Sequence, residues 1–206
     1  MTFFPRTWST GPAKLEPSLR KGFIMRRKTL DLLLTLLGAL LTVVLLVAGG
    51  LLMWGYSFAN STVHSQLAAQ KIYFPAANSP ELQNPLIKPY LTPYAGQQLL
   101  NGRQAEVWAD HYIAVHLQEI TGGKTYAQLS AQSLADPSNT ALAKTVQTVF
   151  QGQTLRGTLL TAYAFWMFGV IALWSAIAMF VLAALMLVLT ILGWRHYRII
   201  DPSEVI

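Results

Sequence analysis

The chain has no cysteine. Disulfides, thiolate nucleophiles and cysteine-ligated zinc are therefore excluded. Charge is scarce as well: Asp, Glu, Lys and Arg make up 12% of 206 residues, against ~25% in a typical soluble domain. No Asp, Glu, Lys or Arg lies between Leu32 and Gln70 or between Gly157 and Trp194. Buried charges are the usual mark of an ion path or proton relay in a membrane, so a channel or transporter built by this chain alone is not expected. The metalloprotease spacing, two histidines four apart with a glutamate after the first, is missing too.

What fills the uncharged stretches is apolar. Hydrophobic residues form 53% of the chain, and each stretch exceeds the ~20 apolar residues needed to cross a bilayer. Ser57-Phe58-Ala59 resembles a signal-peptidase site, but the run Leu32–Met53 is longer than the ~7–15 residues of a signal h-region. An uncleaved anchor is the expectation. Arg26, Arg27 and Lys28 precede the first run, and Arg195 and Arg198 follow the second. Lys and Arg beside a span stay in the cytoplasm, which places both termini there and the intervening segment outside. The net charge of +6 is largely juxtamembrane, so nucleic acid is not an expected partner.

The expected fold class is an all-α membrane protein, with two antiparallel transmembrane helices and an extracytoplasmic helical insert. The divisions are a disordered basic cytoplasmic tail (1–29), a first transmembrane helix (30–56), an extracytoplasmic helical domain (57–160) with a Pro-rich loop (75–93), a second transmembrane helix (161–194) and a cytoplasmic tail (195–206). Residues 1–24 have no sustained periodicity, and Met25 would make an ordinary start for such an anchor.

Helices in lipid associate through small residues that allow close approach. Thr35, Gly38, Thr42 and Gly49 share one face of the first span; Gly169, Ala172, Ala176, Ala183 and Thr190 share one face of the second. These are the candidate helix–helix contacts, serving either pairing of the two spans or docking of a partner. Trp54, Tyr56 and Phe58 after the first run, with Phe165, Trp166, Trp194 and Tyr197 around the second, match the aromatic belts of a bilayer interface.

Between the runs, Asn60–Lys71 extends the first helix outward. Five prolines from Pro75 to Pro93 indicate an extended or turn-rich loop. A helix is expected from Asn101 to about Ile120, stopped by Gly122-Gly123. Thr125 caps a short helix to about Ala135, and Ser138 or Asn139 caps a last helix that runs on toward the second span.

Candidate chemistry is sparse. His111 and His116, five apart, do not share a helical face; His116 and Glu119 do. Glu106 and Asp110, four apart, could act as a carboxylate pair, or as a solvated face supported by Arg103. Gly122-Gly123-Lys124-Thr125 lacks the first glycine of a phosphate loop and reads as a helix stop and cap. Asn60-Ser61-Thr62 matches a glycosylation sequon beside the membrane. No catalytic, metal or cofactor-binding residue is assigned and no cofactor is expected.

The segments Ser65-Gln66-Leu67-Ala68-Ala69-Gln70-Lys71-Ile72-Tyr73-Phe74-Pro75, Gly122-Gly123-Lys124-Thr125-Tyr126-Ala127 and Phe150-Gln151-Gly152-Gln153-Thr154-Leu155-Arg156-Gly157, with the two apolar runs, resemble an uncharacterised family of two-span actinobacterial membrane proteins. The resemblance covers roughly residues 30–195 and implies a bacterial plasma-membrane location. Some members carry the label aromatic ring-opening dioxygenase, a chemistry that uses a two-His-one-carboxylate iron site; the chain has no clear ligand triad of that kind. The leading expectation is a non-catalytic accessory or interaction protein. Its partners would be the lipid bilayer and other membrane subunits or a second copy of itself. The alternatives are an extracytoplasmic ligand sensor using Tyr90, Tyr94, Trp108 and Tyr112, and a metal-dependent enzyme using His111, His116 and Glu119, with His64 as a further external histidine.

Overall fold

The computed structural model describes residues 27–199. The expected N-terminal tail lies outside these residues except for 27–29, and the C-terminal tail is described only as far as Ile199. Among the described residues the fold is all-α, and the one β feature is an isolated antiparallel bridge between Tyr73 and Gln98.

Two helices dominate. Helix α1 runs over Arg27–Gln70 and α6 over Thr140–Ile199. Each contains a stretch long and apolar enough to cross a membrane. Leu, Val and Ala fill both without a proline, so no backbone hydrogen bond is lost along either. Helix α1 stops at Lys71, whose φ of 52° is left-handed, and Gln98 Nε2 donates to the Ala68 carbonyl at 2.9 Å, satisfying part of the open last turn. Asn139 Oδ1 accepts from the Leu142 N–H at the start of α6.

The described residues fall into two compact units, 27–41 with 186–199, and Thr42–Leu185. In the first, Thr35 is buried, and its hydroxyl donates to the Asp31 carbonyl at 2.7 Å. A Cβ on Gly38 would lie 2.7 Å from Thr190 Oγ1, and one on Gly193 would lie 3.0 Å from Thr35 Oγ1. The Thr190 hydroxyl is itself committed to the Met186 carbonyl at 2.7 Å. Gly38→Val is accordingly expected to cost about 1–3 kcal/mol through overpacking, read as a lower thermal midpoint in mild detergent.

In the second unit, Thr42, Gly49, Gly169, Ala176 and Ala183 are buried, while Ala172 is partly exposed. Gly49 faces the Phe180 ring, with a Cβ position 2.9 Å from Cε1, and Gly169 faces the Ala59 methyl at 3.0 Å.

The intervening helices belong to this second unit. The segment 75–93, read from the sequence as extended or turn-rich, holds a 3-10 turn at Pro80–Gln83, helix α2 at Lys88–Leu91 and a 3-10 turn at Thr92–Tyr94. Its prolines explain this: Pro80, Pro89 and Pro93 each occupy one of the first two positions of a turn, where a missing N–H costs nothing and the fixed φ is already helical. The turns bury Leu82, Ile87 and Leu91.

Helix α3 (Gly102–Trp108) starts from a reciprocal Asn101/Gln104 capping box and runs through a π turn (Ala109–Ile113) into α4 (Ala114–Thr121). Gly122 ends α4 in the left-handed region with φ 60°, a conformation that glycine adopts without steric cost. Helix α5 (Tyr126–Ala135) starts from a second capping box, Thr125 with Gln128. The core joins Leu82, Ile87, Leu91, Leu99 and Ile113 to Val63 and Leu67 of α1 and Val149 and Leu159 of α6. The small helices therefore share one core with the two long ones.

Candidate functional site: an aromatic ladder and an inter-helix cleft

The π turn shapes the first candidate site. The Ala114 N–H donates to the Ala109 carbonyl, five residues back. Such a turn is wider than the 3.6 residues of an α-helix, so residues four apart come closer to alignment along the axis. Trp108 and Tyr112 stack with ring centroids 4.3 Å apart, and Tyr112 meets His116 at 4.4 Å. Phe74 extends the ladder, touching Trp108 edge-on and Tyr94 at 5.2 Å each.

Three of the four aromatics considered for ligand binding, Tyr94, Trp108 and Tyr112, are thus packed on one another or on Phe74. The fourth, Tyr90, lies flat on His111 at 3.4 Å with an interplanar angle of 3°. Stacked rings of this kind lend the core more than their buried area alone.

The histidines take separate structural partners. His116 Nδ1 lies 2.8 Å from the Tyr112 carbonyl; a carbonyl only accepts, so Nδ1 carries the proton. Glu119 accepts from Asn84 Nδ2 at 3.0 Å, and His64 is exposed on α1. His111, His116 and Glu119 are not assembled into a ligand set: among the described residues no group of three His, Asp or Glu could hold a metal ion.

The Glu81 carboxyl is held below the ordinary carboxylate range. Its own backbone N–H is the main cause, followed by the neighbouring Ser79 hydroxyl, and His116 adds a weak attraction. The Ser79 oxygen is buried and makes no well-formed hydrogen bond, so its effect is one of proximity. Because the folded value is depressed, Glu81 favours folding above its unfolded pKa, and that contribution is lost as pH falls through the folded value. Burial pushes the Tyr112 phenol up, with Glu81 adding a smaller push; the cost of ionising it in the folded protein weakens stability as pH rises beyond its ordinary value near 10.

The carboxylate pair Glu106 and Asp110 is divided between two arginines. Arg103 Nη1 lies 3.5 Å from Glu106. Arg156 of α6 reaches Asp110 Oδ1 with both Nη2 (2.7 Å) and Nε (3.2 Å). Both side chains of the latter pair are about one-third exposed, at 34%, which limits its strength. A double-mutant cycle of Asp110→Asn and Arg156→Met is expected to give a coupling of about 1 kcal/mol that shrinks as salt is added.

In the Gly122-Gly123-Lys124-Thr125 segment, both glycines have positive φ, Thr125 caps α5, and Lys124 Nζ donates to Gln132 Oε1 at 3.1 Å. The sequon Asn60-Ser61-Thr62 lies inside α1.

Of three cavities among the described residues, the most voluminous has neither the aromatic ladder nor a histidine in its lining. A cleft of about 640 Å³ separates residues 62–72 from residues 155–165. Val63, Leu67, Leu159 and Phe165 contribute its apolar wall, Thr62, Gln66 and Thr158 a polar edge, and none of its lining residues is charged. Its lining comes from α1 and Ile72 just beyond it together with α6, and neither helix's own periodicity announces it. Comparison of the chain with protein-family models, with curated proteins and with solved structures finds no match in any of the three.

Proposed function

We propose that the chain is a non-catalytic, two-span protein of a bacterial plasma membrane, and that it displays a small rigid helical module on the extracytoplasmic side as an interaction or accessory unit. One observation carries the reading: the module's core is built on the same two uninterrupted helices that hold the apolar stretches. Within its own unit the module packs directly on α1 and α6 through Val63, Leu67, Val149 and Leu159.

The membrane itself is supported by exposure. Leu51, Phe168 and Trp174 are 65%, 69% and 67% exposed, within long rows of similar residues. Monomeric soluble proteins rarely expose an apolar patch beyond ~300–600 Å². Lipid removes the cost, because tails are as apolar as leucine. The basic flanks set both termini in the cytoplasm.

The module also leaves Leu86, Ile120 and Leu134 exposed, at 61%, 51% and 79%. Single cysteines at these positions, cross-linked in native membranes at natural expression, are expected to capture a second membrane polypeptide or a second copy. A chain that remains a lone monomer from all three positions contradicts the interaction role.

A further inference from the structure

We propose that the cleft between residues 62–72 and 155–165 holds one acyl chain of a bilayer phospholipid, drawn out of the outer leaflet. The inference rests on the membrane reading above and adds a ligand to it.

Three features of the cleft point to this occupant. At about 640 Å³ it falls within the ~300–1,000 Å³ of ordinary small-molecule sites. Its lining is uncharged, with an aliphatic and aromatic wall and a polar edge of Thr62, Gln66, Gln70, Thr158 and Thr161. Such a lining offers no counter-ion to an anionic or cationic ligand, whose charge would be costly to desolvate, and it suits a hydrocarbon chain.

The third feature is continuity with the lipid. The lower end of the cleft is Phe165. That ring meets Phe58 edge-on at 6.3 Å, and Phe58 stacks on Trp54 at 5.7 Å. These aromatics lie where the apolar stretch of α1 gives way to polar sequence, the level at which aromatic belts meet headgroups. The cleft thus opens at the bilayer surface and rises away from it. Thr62 to Gln70 covers ~12 Å and Leu155 to Phe165 ~15 Å along their helices. The apolar wall of the cleft at that height would stand against water if empty, whereas acyl chains are the abundant apolar groups at its mouth.

The test uses the full chain in vesicles of phosphatidylethanolamine and phosphatidylglycerol. A small fraction of the phosphatidylglycerol carries a photoreactive diazirine at the end of one acyl chain, and adducts are mapped by mass spectrometry. The proposal expects adducts on 63–72 and 155–159, above the aromatic level, in addition to those on the apolar stretches. Thr158→Trp and Gln66→Trp fill the cleft from opposite walls. Each is expected to reduce the upper adducts about tenfold, equivalent to ~1.4 kcal/mol of occupancy, with the adducts on the apolar stretches unchanged. Thr154→Trp, exposed on α6 but outside the cleft, serves as the control and retains them. Near-UV circular dichroism checks each fold, and either filling variant suffices. Adducts on the apolar stretches with none above Phe165 overturn the proposal while the membrane reading stands. Upper adducts that survive both filling variants overturn it as well. No adducts anywhere overturn the membrane reading and this proposal together.

Discussion

Replacing Gly102 with alanine lowers the stability of the helical module by about 2–3 kcal/mol, in the upper part of the range for overpacking. A Cβ at this position would lie 2.4 Å from Trp166 Cβ and 2.6 Å from its Cγ. Those atoms are the root of the tryptophan side chain, so no rotation of the ring relieves the clash. The start of α3 or the wall of α6 must move instead. The Asn101/Gln104 capping box at the same helix end is displaced with it. Two other glycines on α6 calibrate the effect. Gly152→Ala meets the Leu117 Cδ2 methyl at 2.6 Å, with Cδ1 and Cγ at 3.2 Å; this side chain is buried, so it must shift as a whole, but its contact is looser than that at Gly102 and the cost is smaller. Gly157→Ala meets nothing within 4 Å and, mid-helix, gains up to about 1 kcal/mol. Thermal unfolding followed by near-UV circular dichroism, to which Trp166 contributes, ranks the three. Equal effects at Gly102 and Gly157 would show that α3 does not press on α6 as described.

Leu99→Ala is the second large effect, with a loss of about 3 kcal/mol within the ~2–5 kcal/mol of buried leucine truncations. Leu99 is fully buried, and its N–H donates to the Ile72 carbonyl at 2.9 Å. It sits where the chain, having left α1 and passed through the turns at 80–94, comes back beside Ile72 before entering α3. Truncation leaves a cavity there, while the backbone bond to Ile72 remains. Leu134→Ala, at a position 79% exposed, is the matched control and is expected to change stability by no more than ~0.5 kcal/mol. Chemical denaturation of the two variants in the same detergent gives the comparison.

Much of the helical layout could be read from the chain because its signals are local. The cap at Thr125, the cap at Ser138 or Asn139 and the Gly122-Gly123 stop each act within one helical turn. Steps of three, four and seven put Thr35, Gly38, Thr42 and Gly49 on one face without reference to anything else. The Pro-rich segment could be read only as extended or turn-rich, because proline has two uses. It breaks an established helix, but it also opens a short one, and only the burial of Leu82, Ile87 and Leu91 decides between them.

The π turn at 109–113 has no sequence signature that separates it from the surrounding α-helix; it shows in the hydrogen bond from the Ala114 N–H to the Ala109 carbonyl and in the stacking of Trp108 on Tyr112. The cleft was equally hidden. Its residues come from helix segments ninety residues apart in sequence, and its volume depends on how far those segments diverge. The candidate chemistry shows the same division. That Glu106 and Asp110 are four apart is plain in the sequence, but the partnership of Asp110 with Arg156 depends on the tertiary fold.

Absence of cysteine makes the central proposal directly measurable, because any introduced thiol is the only one in the chain. Ala131→Cys lies on the exposed surface of α5, and Ser203→Cys lies four residues after Ile199 in sequence, outside the described residues. In intact cells treated with a membrane-impermeant maleimide, a two-span protein with its module outside labels at position 131 and is silent at 203 until the membrane is permeabilised. Labelling at 203 but not at 131 would invert the topology, and equal labelling at both in intact cells would contradict the two-span arrangement itself.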